Sequence, residues 1–153
     1  MSVVLRAESL AFSYPGRHAL SGWSADIGAG LTWLHGPNGC GKSTLLKLIG
    51  GAIEPLAGRC TVAGIALHEQ PIAYRREVFW CGSGPPAFDH LRITEYLGFM
   101  RGLCPRFDEA QALLHLQGFG LLPFADRRIA TLSAGTQRKA WLVAAFAAGT
   151  SAV

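Results

Sequence analysis

The stretch of this chain whose residue types and spacing could do chemistry is Gly36-Pro37-Asn38-Gly39-Cys40-Gly41-Lys42-Ser43-Thr44. It fits the pattern G-x-x-x-x-G-K-[ST]. At this chain's composition the pattern arises by accident in roughly one chain of this size in 200, so the spacing carries information. Glycines let a backbone wrap an anion without Cβ clashes. Successive amides from about Gly39 to Thr44 then point inward as an anion-binding nest. A helix beginning near Lys42 adds the positive end of its dipole. The anion best suited to such a cup is a nucleoside triphosphate such as ATP. Lys42 places its ammonium on the β and γ phosphates, and the Ser43 hydroxyl offers Mg²⁺ the hard oxygen it prefers. The bland alternative is a glycine-rich turn before an ordinary helix.

Two weaker features accompany this loop. Phe12-Ser13-Tyr14 lies upstream and offers an aromatic face on which a base could stack, although an isolated Tyr is also an ordinary half-buried residue. Leu132-Ser133-Ala134-Gly135-Thr136-Gln137-Arg138-Lys139 reads by itself as an N-cap serine and a tight turn opening a helix.

The elements that must position these residues follow from the pattern of apolar residues and breakers. Val3–Ala7 and Ser24–Ile27 are β-prone, with turn signals at Tyr14-Pro15-Gly16 and Gly28-Ala29-Gly30. Leu31–His35 reads as a compact apolar strand running into Gly36. Leu45, Leu46, Leu48 and Ile49 share one broad helical face, and Gly50-Gly51 ends that helix. Arg59–Ala63, closed by Gly64, is a further strand, and Val78–Cys81 reads as a buried one. Gly82–Pro86 is a loop. Ile93–Gln117 has a helical pattern, with Asp108 and Gln111 resembling a capping box. Leu121–Asp126 has a superficial strand pattern that Pro123 opposes. A loop continues to Ser133. From Thr136 the chain is helical, and Ala140–Ala148 is almost wholly apolar, which predicts a buried helix.

The 153 residues suggest one domain, and 50% hydrophobic with 16% charged residues supplies a core. The net charge of +4 is mild and unclustered, so nucleic acid is not an expected partner. No apolar run approaches the roughly 20 residues of a membrane span, and the first residues lack the pattern of a signal peptide. Cys40, Cys60, Cys81 and Cys104 form no Cys-x-x-Cys pair; they are expected as buried small apolar residues in a reduced, cytoplasmic protein. His18, His35, His68, His90 and His115 are scattered and expected on the surface or in the core. Arg127-Arg128 and Arg138-Lys139 are expected as solvated faces.

Taken in order, the three features resemble the ATP-binding subunit of ABC transporters. Phe12–Gly16 is similar to the family's adenine-stacking loop, with Tyr14 the stacking residue, and Gly36–Thr44 to its P-loop. Glu54-Pro55-Leu56-Ala57-Gly58 followed by Gly64 resembles its Pro-x-x-Gly strand-turn segment. Leu132-Ser133-Ala134-Gly135 is similar to its Leu-Ser-Gly-Gly-Gln signature, and Gln137-Arg138 also fits. The resemblance implies an α/β fold: a P-loop NTPase core of mixed or parallel sheet with helices, an N-terminal antiparallel β part and a small helical subdomain. It divides the chain into a nucleotide-binding core at about 1–84, a helical part at 85–135 and a signature helix at 136–153 returning to the core. It implies ATP and Mg²⁺ as cofactors and a head-to-tail pair of ATP-binding subunits. In that pair Ser133 and Gly135 contact the γ-phosphate held by the partner's Lys42. It also implies a separate integral membrane subunit and a peripheral place on the inner face of the cell membrane.

The chain departs from the family at several points. Ala134 replaces the first signature glycine, which requires negative φ there, and Thr136 replaces the usual Gln. No Gln lies between Gln70 and Gln111; Ser83 or Gly84 stands in the family's Q-loop place. The family's Asp-Glu strand (Walker B) and switch His would follow the signature helix, and the sequence ends before them, so the C-terminal part of the core is expected to be missing. Apolar surface at Val78–Cys81 and Ala140–Ala148 should then be uncovered, and the isolated chain should be poorly stable. The alternatives are a soluble ABC-type ATPase without a transporter, a P-loop small-molecule kinase, and a chain that binds nucleotide without hydrolysing it.

Overall fold

A computed structural model of the chain describes residues 3–82 and 88–153. The expected loop at 83–86, the Ser83–Gly84 place within it and the boundary at 84–85 lie outside the described residues. The chain divides into two compact units, one running to Trp80 with Ala152, the other from Cys81 to Ser151 with Val153.

The first unit is built on a hairpin. β1 (Val3–Tyr14) and β2 (Arg17–Gly28) pair antiparallel across Pro15-Gly16, where Gly16 has φ +74°. Period-two alternation buries Leu5 and Ala7 and exposes Arg6 and Glu8. Strict alternation would leave Leu10 on the wrong face. A register shift between Ala7 and Leu10, with Ser9 at φ +48°, moves the phase by one residue and buries Leu10 completely. Ser24 Oγ accepts the Ser9 amide at 2.8 Å, which satisfies the displaced backbone. β3 (Ala57–Val62) pairs antiparallel with the other edge of β1. It turns through Ala63 and Gly64, both at positive φ, into β4 (Ile65–Ala66). The sheet order is β2-β1-β3-β4.

α1 (Lys42–Ile49) lays Leu45 and Leu48 into the cluster with Leu10 and Val62. Burying each such leucine contributes about 1.5–3 kcal/mol. Gly51 at φ +67° ends the helix as the paired glycines imply. Its last carbonyls are held by α2 (Pro71–Arg76): the Tyr74 hydroxyl donates to Ile49 O at 2.6 Å, and Arg75 Nε donates to Gly51 O at 2.9 Å. Burial, then the bond to Cys60, pushes the Tyr74 phenol above its ordinary value, so it stays an O–H donor.

Two expected strands are absent. Leu31–His35 has no ladder partner among the described residues, and Leu31 and Trp33 are 101% and 83% exposed. A strand exists only through its neighbour's N–H and C=O groups, and an apolar run alone cannot supply them. Val78–Cys81 reduces to one parallel bridge, Val78 to Ala152, and Trp80 and Cys81 are exposed. That bridge is the parallel pairing found among the described residues.

The second unit holds α3 (Ile93–Leu103), α4 (Glu109–Gly118) and α5 (Ala134–Ala147). The helical pattern from Ile93 to Gln117 is therefore two helices. Pro105 disfavours helical backbone at Cys104, which adopts φ −101°, ψ 105°. Asp108 restarts the helix by accepting from the amides of Ala110 at 2.9 Å and Gln111 at 3.0 Å. The reciprocal half of a capping box is missing, because the Asp108 amide goes to Ala147 O at 2.8 Å. Leu122–Phe124 and Ile129–Thr131 are single 3₁₀ turns in what the sequence marked as loop, and no strand forms at Leu121–Asp126. Ala140, Val143, Ala144 and Ala147 form the buried stripe of α5, whose small side chains let it approach α4 closely. The apolar surface expected uncovered at Ala140–Ala148 is thus mostly buried, with Phe146 exposed, and Leu31 and Trp33 are the most exposed large apolar residues among those described.

Tyr74→Phe should lower the unfolding free energy by about 1–2 kcal/mol in urea denaturation, because the Ile49 carbonyl loses its donor. An unchanged midpoint would show that the carbonyl finds another partner.

Candidate functional site

The predicted loop is built as a turn feeding straight into α1. The Cys40 amide donates to Pro37 O at 3.4 Å, and the Leu45 amide donates to Gly41 O at 2.8 Å as the first helical bond. Gly39 and Gly41 have φ +84° and +97°, where side chains with a Cβ are strained. Gly41 has a second constraint. A Cβ there would sit 2.5 Å from the carbonyl oxygen of Ala19, so β2 presses its backbone against the loop. As the N-cap of α1, Gly41 brings no side-chain acceptor. The amides of the first turn, Lys42 to Thr44, are thereby left for a ligand.

A cavity of about 300 Å³ opens over this turn, lined by Tyr14, Arg17, Ala19, Asn38, Gly39, Gly41, Lys42, Ser43 and Thr44. The lining carries two cations, two hydroxyls and a phenol, and no carboxylate. Such a cavity suits a polyanion. Lys42 Nζ donates to Gly36 O at 2.7 Å and Pro37 O at 2.8 Å, and its third donor meets only Cys40 Sγ at 3.9 Å. An ammonium has three donors, so one is poorly spent and can turn to a phosphate oxygen. Thr44 Oγ1 donates to the Tyr14 hydroxyl at 3.5 Å, at the outer limit of a hydrogen bond. The Tyr14 ring packs edge-on against Phe12 with centroids 5.0 Å apart and is 39% exposed. The hairpin thus brings the aromatic residue to the same cavity as Lys42 and Ser43.

Gly36, Pro37 and Cys40 are not among the lining residues. The first two serve through their carbonyls, and Cys40 is exposed. Ser133 and Gly135 lie in the second unit, at the start of α5. Ser133 is the N-cap: its Oγ accepts the Thr136 amide at 3.3 Å and bonds Thr136 Oγ1 at 2.8 Å. Ala134 takes the first helical position, and its φ is not positive, which is the condition for replacing glycine there. Ser133 and Gly135 are both exposed.

Sequence reasoning passed over Arg17 and named Gln137 without the contacts it makes. Arg17 Nη2 donates to Gly39 O at 3.1 Å from the far side of the hairpin turn, 22 residues away. Only the pairing of Tyr14 with Arg17 places it there, and no local signal marks it. Gln137 Nε2 donates to Ile129 O at 2.9 Å and Leu132 O at 3.1 Å, which fixes the turn preceding Ser133. The cysteine expectation changes, and the histidine expectation stands. Cys60 is buried, but Cys40 and Cys81 are exposed. His68 Nε2 lies 3.4 Å from the Glu69 carboxylate and His90 Nδ1 4.0 Å from that of Asp89, on exposed faces. Among the described residues no group of three His, Cys, Asp or Glu could hold a metal, and no helix is long and apolar enough to cross a membrane.

The sequence model of the family described as ABC transporter matches residues 20–152, both the loop and the segment around Ser133 included. The chain belongs to the ABC transporter family. It is 39% identical over 146 residues to the hemin import ATP-binding protein HmuV of Enterobacter cloacae, covering 92% of this chain and 55% of the relative. It is 34% identical over 148 residues to the cytochrome c biogenesis ATP-binding export protein CcmA of Pseudomonas syringae pv. syringae, covering 95% and 69%. A solved ATP-binding subunit of an ABC transporter superposes with a TM-score of 0.78 at 25% identity, over 96% of this chain and 63% of that one. The chain thus spans little more than half the length of the first relative. The match is to the ATP-binding subunits of the ABC family, which implies a nucleotide as the ligand class, and the polyanion cavity fits that class.

Gly41→Ala should cost about 2 kcal/mol or more in chemical denaturation, from the left-handed backbone and the Ala19 carbonyl together. Wild-type stability would mean that the loop adopts another path. Ser133→Ala should cost about 1 kcal/mol and Ser133→Gly only a few tenths, the pattern of an N-cap. Equal losses would place the serine elsewhere.

Proposed function

We propose that the chain binds ATP with Mg²⁺ as the ATP-binding subunit of an ABC transporter. The observation that carries this reading is the carboxylate-free cavity in which Tyr14, Lys42, Ser43 and the glycine turn converge. Lys42 turns its third N–H to the phosphate tail while its other two hold the loop carbonyls. The amides of Gly39 to Thr44 supply the cradle, and Asn38 and Thr44 line its rim. The Ser43 hydroxyl is the protein's oxygen for Mg²⁺, an ion that keeps most of its shell in water and phosphate. Tyr14 offers its ring face to the adenine. Bound ATP supplies the phosphoanhydride whose cleavage such a site exploits.

Ser133 and Gly135, exposed at the start of α5, suit a head-to-tail pairing in which a second ATP-binding subunit presents its nucleotide to them. A separate integral membrane subunit, met at the cytoplasmic face, would convert closure of that pair into movement of a substrate. Relatives named for hemin import and for export leave the direction to that subunit.

A second reading is favoured by one observation. No Asp or Glu lines the cavity, so nothing there supplies the general base for water or a carboxylate for the metal. On this reading the 153-residue chain binds nucleotide and hydrolyses little or none.

Equilibrium titration with ATP·Mg²⁺ tests both. Lys42→Ala should weaken binding by about 10- to 100-fold, and equal affinity of the two forms would reject the assignment. Tyr14→Ala should weaken ATP by about 1–3 kcal/mol while leaving tripolyphosphate unchanged; parallel loss of both ligands would remove the stacking role. Phosphate release by the purified chain should stay at background, and steady turnover would overturn the second reading.

A further inference from the structure

We propose that Arg17 is a phosphate-binding residue of the nucleotide cavity, a second cation delivered by the β1–β2 hairpin beside Lys42. The inference rests on the nucleotide reading and goes beyond it, since no motif of the chain assigns Arg17 a role.

The placement is set by the hairpin. Tyr14 and Arg17 are cross-strand partners on either side of Pro15-Gly16, so one tight turn carries both an aromatic ring and a guanidinium to the cavity wall. The guanidinium reaches across to the glycine turn and donates from Nη2 to Gly39 O at 3.1 Å. It stands 3.5 Å from where a Cβ on Gly39 would be, in ordinary contact, so the guanidinium packs against the glycine turn. Among the described residues no carboxylate pairs with Arg17. Its partner is a neutral carbonyl, which uses one of five N–H donors and leaves the charge uncompensated. The exposed, uncompensated guanidinium lines the same cavity as the ammonium of Lys42, and the two like charges repel. A polyanion removes that repulsion. The planar fork suits phosphate oxygens in a way a neutral carbonyl does not, since charge-assisted bonds are about twice as strong. Arg17 therefore keeps one N–H on Gly39, holding the turn, and gives the rest of its fork to the phosphate tail.

The test is equilibrium binding to the full chain of Mg²⁺·ATP, tripolyphosphate and adenosine, each to wild type, Arg17→Ala, Arg17→Lys and Lys42→Ala. Arg17→Ala should weaken ATP and tripolyphosphate by about tenfold or more and leave adenosine within twofold. Arg17→Lys should recover part of the loss, because the charge returns without the fork. The ATP affinity of wild type should fall more steeply with salt than that of Arg17→Ala. Arg17 lies on an exposed turn, and an unchanged thermal midpoint for Arg17→Ala would show that the loss is not one of folding. If Arg17→Ala binds ATP like wild type while Lys42→Ala does not, this inference fails and the nucleotide reading stands. Equal loss of ATP and adenosine in Arg17→Ala would also overturn it, by making Arg17 a support of the fold. If wild type binds neither ATP nor tripolyphosphate, the nucleotide reading fails and this inference falls with it.

Discussion

A single backbone approach constrains the nucleotide end of this molecule: the carbonyl of Ala19 against Gly41. It leaves no room for a side chain at the N-cap of α1, so the cap cannot satisfy the helix's first amides from within. The same approach locks β2 to the loop, and β2 is one arm of the hairpin that carries Tyr14 and Arg17. The cavity is therefore the gap between two rigid pieces, a hairpin and a helix N-terminus, joined through one glycine. Its cationic character follows from that geometry as much as from residue choice. The helix points its positive end into the gap while Lys42 folds back over its own loop. Around this point the rest of the unit is support. Leu45 and Leu48 hold α1 on the sheet, and Tyr74 and Arg75 hold its far end.

How much of this could be read in advance depended on how local the cause was. The glycine turn before α1, the glycine stop at Gly51, the Asp108 cap and the turn at Ala63–Gly64 are decided within four or five residues, and the residue types announce them. The Ser133 cap is of the same kind. Leu31–His35 fails for the opposite reason. Its residues favour a strand, but a strand is a relation to another strand, and none lies beside it among the described residues. Val78–Cys81 keeps a single bridge to Ala152, a contact between residues far apart in the sequence. The break between α3 and α4 has a local mark in Pro105, which the apolar periodicity on either side conceals. Arg17 was invisible because its meaning depends on a hairpin register and on a carbonyl 22 residues away.

The bulge at Ser9 shows how a small irregularity serves the site. Without it, β1 would arrive at its turn one residue out of phase, and Phe12 and Tyr14 would exchange faces with Ala11 and Ser13. The observed phase puts Phe12 among the partly buried residues packed on the core and lets Tyr14 rest edge-on against it at the cavity. Ser24 is what makes the irregularity tolerable, since its hydroxyl receives the amide that the ladder leaves behind. A polar residue on the outer face of β2 thus sets where an aromatic ring stands at the far end of β1.

The two helix N-termini that the family resemblance assigns to one anion are finished in different ways, and the difference bears on how each could act. α1 begins at a glycine and keeps its first amides unspent, so it can receive phosphate without giving anything up. α5 begins at a serine that is already engaged, with the Thr136 amide and the Thr136 hydroxyl both on Ser133 Oγ. An anion arriving there must compete with an internal cap. That exchange replaces a neutral bond by a charge-assisted one, so it is favourable only when the anion is brought close and water is excluded. A self-capped terminus is therefore a weak anion site alone and a stronger one when a partner delivers the phosphate. On the proposed head-to-tail pairing, the end that would hold its own nucleotide is open, and the end that would meet a partner's nucleotide is closed by its own serine.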